Sequence, residues 1–267
     1  MKRVIFTDLD GTLLDRFNYS YDQTLEAISL LKRKDIPLVF CSTKTRAEQE
    51  LYRKELNIKD PFIVENGGAI FIPRDYFTFS FNYHKATEDY FVIELGISHH
   101  KIRGILKKVE QEVGCNIKGF EDMSIEEIAR DSGLSLRLAA LAKQREYDET
   151  FKIEDATEKI KLALAKIIEA GLSYTHGGIY YDATAGNDKG KATKILIELF
   201  KRKLGQIETI GIGDNQNDIP MLKAVDIPVL VQKPDHSWEK IDLPNVYTAK
   251  GVGPQGWSRA IHELIGD

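Results

Sequence analysis

Two aspartates, Asp8 and Asp10, stand two residues apart at the end of the apolar run Val4-Ile5-Phe6 and lead into Gly11-Thr12. Carboxylates this close repel each other unless a positive charge lies between them, commonly a hard cation such as Mg2+. Three further positions carry polar chemistry: Ser42, Lys189, and the pair Asp214 and Asp218. Together these types contain what phosphoryl transfer needs. A carboxylate can attack phosphorus and form an acyl-phosphate. A metal ion can neutralise charge between nucleophile and substrate. A hydroxyl and an ammonium can hold the equatorial oxygens. Taken alone, the Asp8/Asp10 pair also reads as a polar strand end entering a turn, where acidic residues are common.

Each of these residues sits at the end of a predicted element. Short apolar runs bounded by turn signals read as buried strands, here 4–7, 37–41, 62–64, 209–213 and 227–231. Helical spacing predicts helices over 21–34 (Asp22 as cap), 46–56, 189–200, 219–225 and 257–264, and a hairpin partner over 69–72 follows Asn66-Gly67. Strands alternating with helices predict an α/β fold with a doubly wound parallel sheet. The C-terminal ends of such strands converge, so Asp8, Ser42, Lys189 and Asp214 can share one pocket. From about residue 83 to 183 the pattern changes to a strand over 90–95, helices over 101–113, 124–131 and 156–171, and a hairpin around His176-Gly177-Gly178. This segment reads as an inserted α+β domain, dividing the chain into a core (1–82 with 184–267) and a cap (83–183).

Composition narrows the class. A chain of 267 residues with 42% hydrophobic content can bury one large core or two smaller ones. The net charge of −4 argues against a nucleic-acid partner. No apolar run is long enough to span a membrane, and a strand begins almost at once with no signal segment, which predicts a cytoplasmic setting. Cys41 and Cys115 form neither a disulfide framework nor a metal spacing. Cys41 reads as a small buried hydrophobe and not a thiol nucleophile.

The motifs, in order, resemble those of the haloacid dehalogenase (HAD) phosphatases: D-x-D-G-T at Asp8 to Thr12, the Ser/Thr motif at Ser42, the lysine at Lys189, and G-D-x-x-x-D from Gly213 to Asp218. The resemblance implies a Rossmann-like core and an aspartyl-phosphate on Asp8. Asp10 would act as general acid and then general base. Mg2+ would be held by Asp8, the Asp10 carbonyl and Asp214, with Asp218 binding directly or through water. Ser42 and Lys189 would hold the phosphoryl group. An insert between Ser42 and Lys189 resembles the capped subgroup shared with Cof-type sugar phosphatases and phosphomannomutases, in which the cap reads the organic part of the substrate.

Within that subgroup the chain is most similar to mannosyl-3-phosphoglycerate phosphatases, through residues 42–48, 65–70, 145–149 and 186–190. This implies a small phosphorylated sugar-glycerate substrate, hydrolysed to mannosylglycerate and phosphate. Lys44 or Arg46 would suit its anionic groups and Glu146 or Glu149 its sugar hydroxyls, with Asn66, Gly67 and Arg145 also on the substrate side. The same residues also read as a solvated helix start, a hairpin turn and an exposed charge cluster. One departure stands out: the family pattern tends to place an Arg after the last cap glycines, where this chain has Ile179. The alternatives are a glucosyl-3-phosphoglycerate or other sugar phosphatase, a phosphomannomutase-like transferase, and a phospho-accepting signalling domain. Asp10 and the large insert argue against the last. The oligomeric state is left open by the sequence.

Overall fold

The computed structural model describes residues 1–266. Its first strand, β1 (Lys2–Thr7), shows how the core is built, because it is buried on both faces. Ile5 packs on one side and Val4 and Phe6 on the other, as the two-residue period of a strand requires. The chain continues through α1 (Leu25–Arg33), β2 (Leu38–Phe40), α2 (Arg46–Glu55), β3 (Phe62–Val64), β4 (Ala69–Pro73), β5 (Lys85–Ala86) and β6 (Tyr90–Glu94). The inserted segment contains α3 (His99–Val113), β7 (Ile117–Gly119), α4 (Ile125–Ser132), α5 (Leu136–Ala142), β8 (Glu149–Ile153), α6 (Thr157–Glu169), β9 (Ser173–Gly177) and β10 (Tyr180–Thr184). The chain closes with α7 (Lys189–Leu204), β11 (Ile207–Gly213), α8 (Ile219–Leu222), β12 (Ile227–Gln232), β13 (Tyr247–Val252) and α9 (Pro254–Ile265).

The expected doubly wound sheet is present: β13-β12-β11-β1-β2, with every neighbouring pair parallel. Helices α1 and α9 cover one face, with Trp257 fully buried, and α7 and α8 cover the other. A bridge from Cys41 to Ile63 joins this sheet to a second one, β3-β4-β6-β5, which is antiparallel. The cap has its own antiparallel sheet, β7-β8-β10-β9, packed against α3 and α6 around Phe151, Ile102 and Ile167.

The structure differs from the sequence reading at the start of the insert. The strand at Tyr90–Glu94, expected to open the cap, pairs with Ala69–Pro73 in the sheet attached to the core. An antiparallel partner two elements back leaves no signature in a strand's own residues. The α5 helix and the short strands β7 and β8 were also not anticipated; β8 begins inside the stretch read as a charge cluster.

Contacts on two sides help to fix the cap on the core. The Leu95 and Gly96 amides both donate to the Gly68 carbonyl at 2.9 Å. From the opposite side the Tyr19 hydroxyl donates to the Ser132 carbonyl of the cap at 3.2 Å. Under the sheet, Phe200 packs edge-on against Phe6 and Phe77, with centroids 6.5 and 5.6 Å away. Replacing this fully buried ring by alanine should cost about 3–5 kcal/mol, read as a lower urea midpoint with an unchanged m-value.

Candidate active site

The site begins where β1 and β11 end side by side. The Asp8 amide donates to the Ile212 carbonyl at 2.9 Å, which brings Asp8 next to the loop after β11. Asp188 caps α7, its side chain accepting from the Lys191 amide at 2.8 Å, so Lys189 is the first helical residue. Its ammonium lies between two carboxylates, 2.6 Å from Asp8 Oδ1 and 2.5 Å from Asp218 Oδ1. The other oxygen of Asp218 accepts from the Asp214 and Asn215 amides at 3.0 and 3.1 Å. Both Asp218 oxygens are therefore engaged, and this residue holds Lys189 and the Asp214 loop in place. Thr12 donates to Asp214 Oδ1 at 3.2 Å, and Gly11, at φ 77°, turns the chain tightly past the same carboxylate.

The electrostatics of this cluster are severe. Burial comes first, and Asp218 and Asp214 add to it, pushing Asp8 well above the ordinary carboxyl range despite Lys189. Burial and Asp218 push Asp214 up to about 7, against the pull of Arg16, Lys189 and Thr12. Burial works against the Lys189 ammonium, but Asp218 and Asp8 outweigh it and keep its pKa above the ordinary lysine range. Oxygens of Asp8, Asp214 and Asp218 lie within 4.8 Å of one another with a single lysine among them. Three carboxylates against one lysine, with Arg16 3.7 Å from Asp214, leave a negative excess, and a hard divalent cation with oxygen ligands fits that need. Asp8 Oδ2 and Asp214 Oδ2 are the oxygens without a hydrogen-bond partner among the described residues.

Asp10 projects beside this cluster and pairs with Lys44 at 3.0 Å. Lys44 is only 4% exposed and is also bound to Glu48 at 3.2 Å. The Ser42 hydroxyl is buried and accepts from the Lys44 amide at 3.2 Å, while its neighbour Thr43 borders the open cavity. That cavity, about 450 Å³, has Asp8, Asp10 and Asp214 in its floor and the cap residues Tyr174, His176 and Asp182 in its roof.

Several residues expected to touch substrate lie elsewhere. The Arg145 side chain is buried, forked onto Asp148 and donating to the Thr43 carbonyl at 2.8 Å. Arg46 is held by Glu146 at 2.8 Å and Glu50 at 3.1 Å, outside the cavity. Glu149 is fully buried in the cap and bonded to His99. Asn66 and Gly67 lie behind Lys189; the Asn66 carbonyl accepts from Asn187 at 3.2 Å, and a Cβ on Gly67 would strike the Asp188 carbonyl at 2.2 Å.

The physical reason is the junction between domains. Glu65, buried and at φ 49°, accepts the backbone amides of Glu146, Tyr147 and Asp148 at 2.6–3.0 Å. Burial, then Asp148, raises its pKa well above the ordinary range against Arg145 and the Tyr147 amide. The charged stretch 145–149 thus seats the cap on the core. Burial also pushes the Cys41 thiol up to about 12, leaving it protonated and unsuited to attack.

Sequence reasoning missed Arg16, Thr43 and Asp182. Thr43 lies within the 42–48 stretch but nothing there separates it from its neighbours, and Arg16 and Asp182 belong to no motif; only β10's alternation, which turns Asp182 to the same side as Tyr180, gives a signal for one of them. Burial and Asp148 push Asp182 up to about 6, opposed by Arg145 and the Thr150 hydroxyl at 2.6 Å. The native state therefore holds this proton where the unfolded chain, near 3.8, has lost it. Its contribution to stability is complete below pH ~4 and is lost as pH rises through about 6. Relative to wild type, Asp182→Asn should gain stability between pH 4 and 6 and show a constant difference above pH ~7, measured by urea denaturation across that range.

Comparison with known proteins places the site in a family context. Residues 5–240 match the family described as haloacid dehalogenase-like hydrolase. A relative from Methanococcoides burtonii, named glucosyl-3-phosphoglycerate/mannosyl-3-phosphoglycerate phosphatase, is 50% identical and is covered over 98% of its length by all of this chain. A mannosyl-3-phosphoglycerate phosphatase from Pyrococcus furiosus is 42% identical over 94% of this chain and 98% of its own. A solved structure described as a sugar phosphatase of HAD subclass IIB shares the fold with a TM-score of 0.64 at 20% identity, over 98% of this chain and 99% of that one.

Proposed function

The chain belongs to the haloacid dehalogenase-like hydrolases and is a phosphoric monoester hydrolase; from that premise we propose that it removes phosphate from mannosyl-3-phosphoglycerate through an aspartyl-phosphate on Asp8. The observation that carries the reading is the placement of Asp8 and Asp10 together in the floor of a cavity roofed by cap strands. Asp8 and Asp214, with the Asp10 carbonyl, would hold Mg2+, which supplies charge neutralisation between the nucleophile and the phosphoryl oxygens.

The chain's own groups account for the remaining chemistry. Lys189 fixes Asp8 through one oxygen and leaves the other for in-line attack on phosphorus. As the Asp8–phosphorus bond forms, the bond from phosphorus to the C3 oxygen of glycerate breaks. Asp10, held by Lys44, gives that oxygen its proton. Asp10 then takes a proton from water, which attacks phosphorus and releases phosphate and free Asp8. The cap excludes bulk water and meets the sugar with Tyr174, His176 and Asp182. We propose that this lid is the insert between the linkers near residues 95 and 186.

A second substrate has specific support: the relative at 50% identity is named for both the glucosyl and mannosyl compounds. The test is phosphate release from both hexosyl-3-phosphoglycerates and from mannose 6-phosphate, with Mg2+ and with a chelator. The reading expects metal-dependent release from one or both hexosyl-3-phosphoglycerates, far above mannose 6-phosphate. Equal slow release from all three removes the substrate assignment. Asp8→Asn should lower kcat by at least about 10³-fold with an unchanged circular dichroism spectrum; a folded variant with substantial turnover removes the nucleophile.

A further inference from the structure

A phosphorylated glyceric acid carries two anionic groups separated by its three-carbon chain. In the reaction proposed above, the phosphate lies against Asp8 and the cation that Asp8 and Asp214 would hold, so the carboxylate needs a cation of its own. Each candidate from the sequence is committed elsewhere. Lys44 is buried against Asp10 and Glu48, Arg46 is paired with Glu146 and Glu50, and Arg145 is forked onto Asp148. Ile179, at the position where the family pattern tends to place an arginine, is apolar and 56% exposed at the hairpin tip.

Arg16 remains. It is the one arginine or lysine among the described residues bordering the cavity. Its side chain is 42% exposed, and its sole partner among the described residues is Asp214 Oδ2 at 3.7 Å. That separation is too long for a hydrogen bond, so the guanidinium keeps its donors for a ligand. The loop that carries it is ordered by its own bonds: Asp15 Oδ1 accepts from the Phe17 and Asn18 amides at 2.9 and 3.0 Å. Tyr19, three residues on, reaches the cap at Ser132. Arg16 is thereby held between core and cap, beside Asp214 and hence beside the phosphate.

We infer that Arg16 binds the carboxylate of the substrate and so sets the preference for phosphoglycerates over simple sugar phosphates. A guanidinium presents two parallel N–H donors that match a carboxylate, and the contact adds to neutralisation without touching the reacting bond. The inference rests on the hexosyl-3-phosphoglycerate reading given above.

The experiment is a four-way comparison of wild type and Arg16→Gln on mannosyl-3-phosphoglycerate and on the same compound with its carboxylate converted to the amide. Wild type should favour the acid by about 10- to 100-fold in kcat/KM. In Arg16→Gln the acid should fall by that factor, chiefly through KM, and the acid-to-amide ratio should approach one. Arg16→Lys should restore part of the preference, since an ammonium keeps the charge without the fork. An unchanged ratio in the glutamine variant overturns the inference. So does an equal loss on both compounds, which places Arg16 on the phosphate or on Asp214. Failure of the underlying reading shows itself separately, as wild type that prefers mannose 6-phosphate to the acid, and it takes the inference with it.

Discussion

Carboxylates crowded into a buried space cannot all keep their charge unless cations are built in among them. Asp8, Asp214 and Asp218 face that constraint at the ends of β1 and β11, and Lys189 is the protein's own answer. Much of the core follows from holding that lysine still. Asp188 starts α7 at the right residue, and Gly190 lets the helix pass so close to Pro220 that a Cβ would meet its carbonyl at 2.3 Å. Asp218 spends both oxygens on Lys189 and on the backbone of the Asp214 loop. Trp257, from the last helix, donates to Thr7 Oγ1 at 2.9 Å, and Thr7 in turn donates to the Asp8 carbonyl at 2.7 Å. The far end of the chain thus secures the residue beside the proposed nucleophile.

The cap is joined to this core by a second buried charge network. Glu65 and Asn66 both hold φ near 50°, a backbone region that costs a non-glycine residue roughly 1–2 kcal/mol. The strain turns the Glu65 carboxylate toward three successive cap amides, and those bonds offset it. Arg145 and Asp148 complete the junction, and the Arg145 bond to the Thr43 carbonyl ties it to the loop that borders the cavity. Cap position and active-site geometry are therefore coupled through buried polar groups that are costly to leave unpaired.

Much of this was readable in advance. The buried strands at 4–7, 209–213 and 227–231 announce themselves as short apolar runs, and Asp8, Lys189 and Asp214 meet because parallel strands present their C-terminal ends on one edge. The sequence reading gives the stretch 145–149 to the substrate, whereas the structure places it at the junction of core and cap. A run of alternating charges looks the same whether it faces solvent, substrate or another domain. Only the position of Glu65, eighty residues earlier in the chain, makes it a junction.

The sequence by itself determined the parallel core, the presence of an insert, and the residue types gathered at the strand ends, because each of these depends on local periodicity and on motifs within a few positions. The tertiary structure alone decided which strands join which sheet, so that Tyr90–Glu94 lies with the core. It also decided which cations are already spent. Lys44, Arg46, Arg145 and Arg16 are alike in sequence as positive charges near candidate loops. Their availability depends on partners that can lie far along the chain, such as Glu146 for Arg46 and Asp214 for Arg16. A side chain's freedom to bind is a property of what folding has placed against it, and spacing along the chain does not encode that.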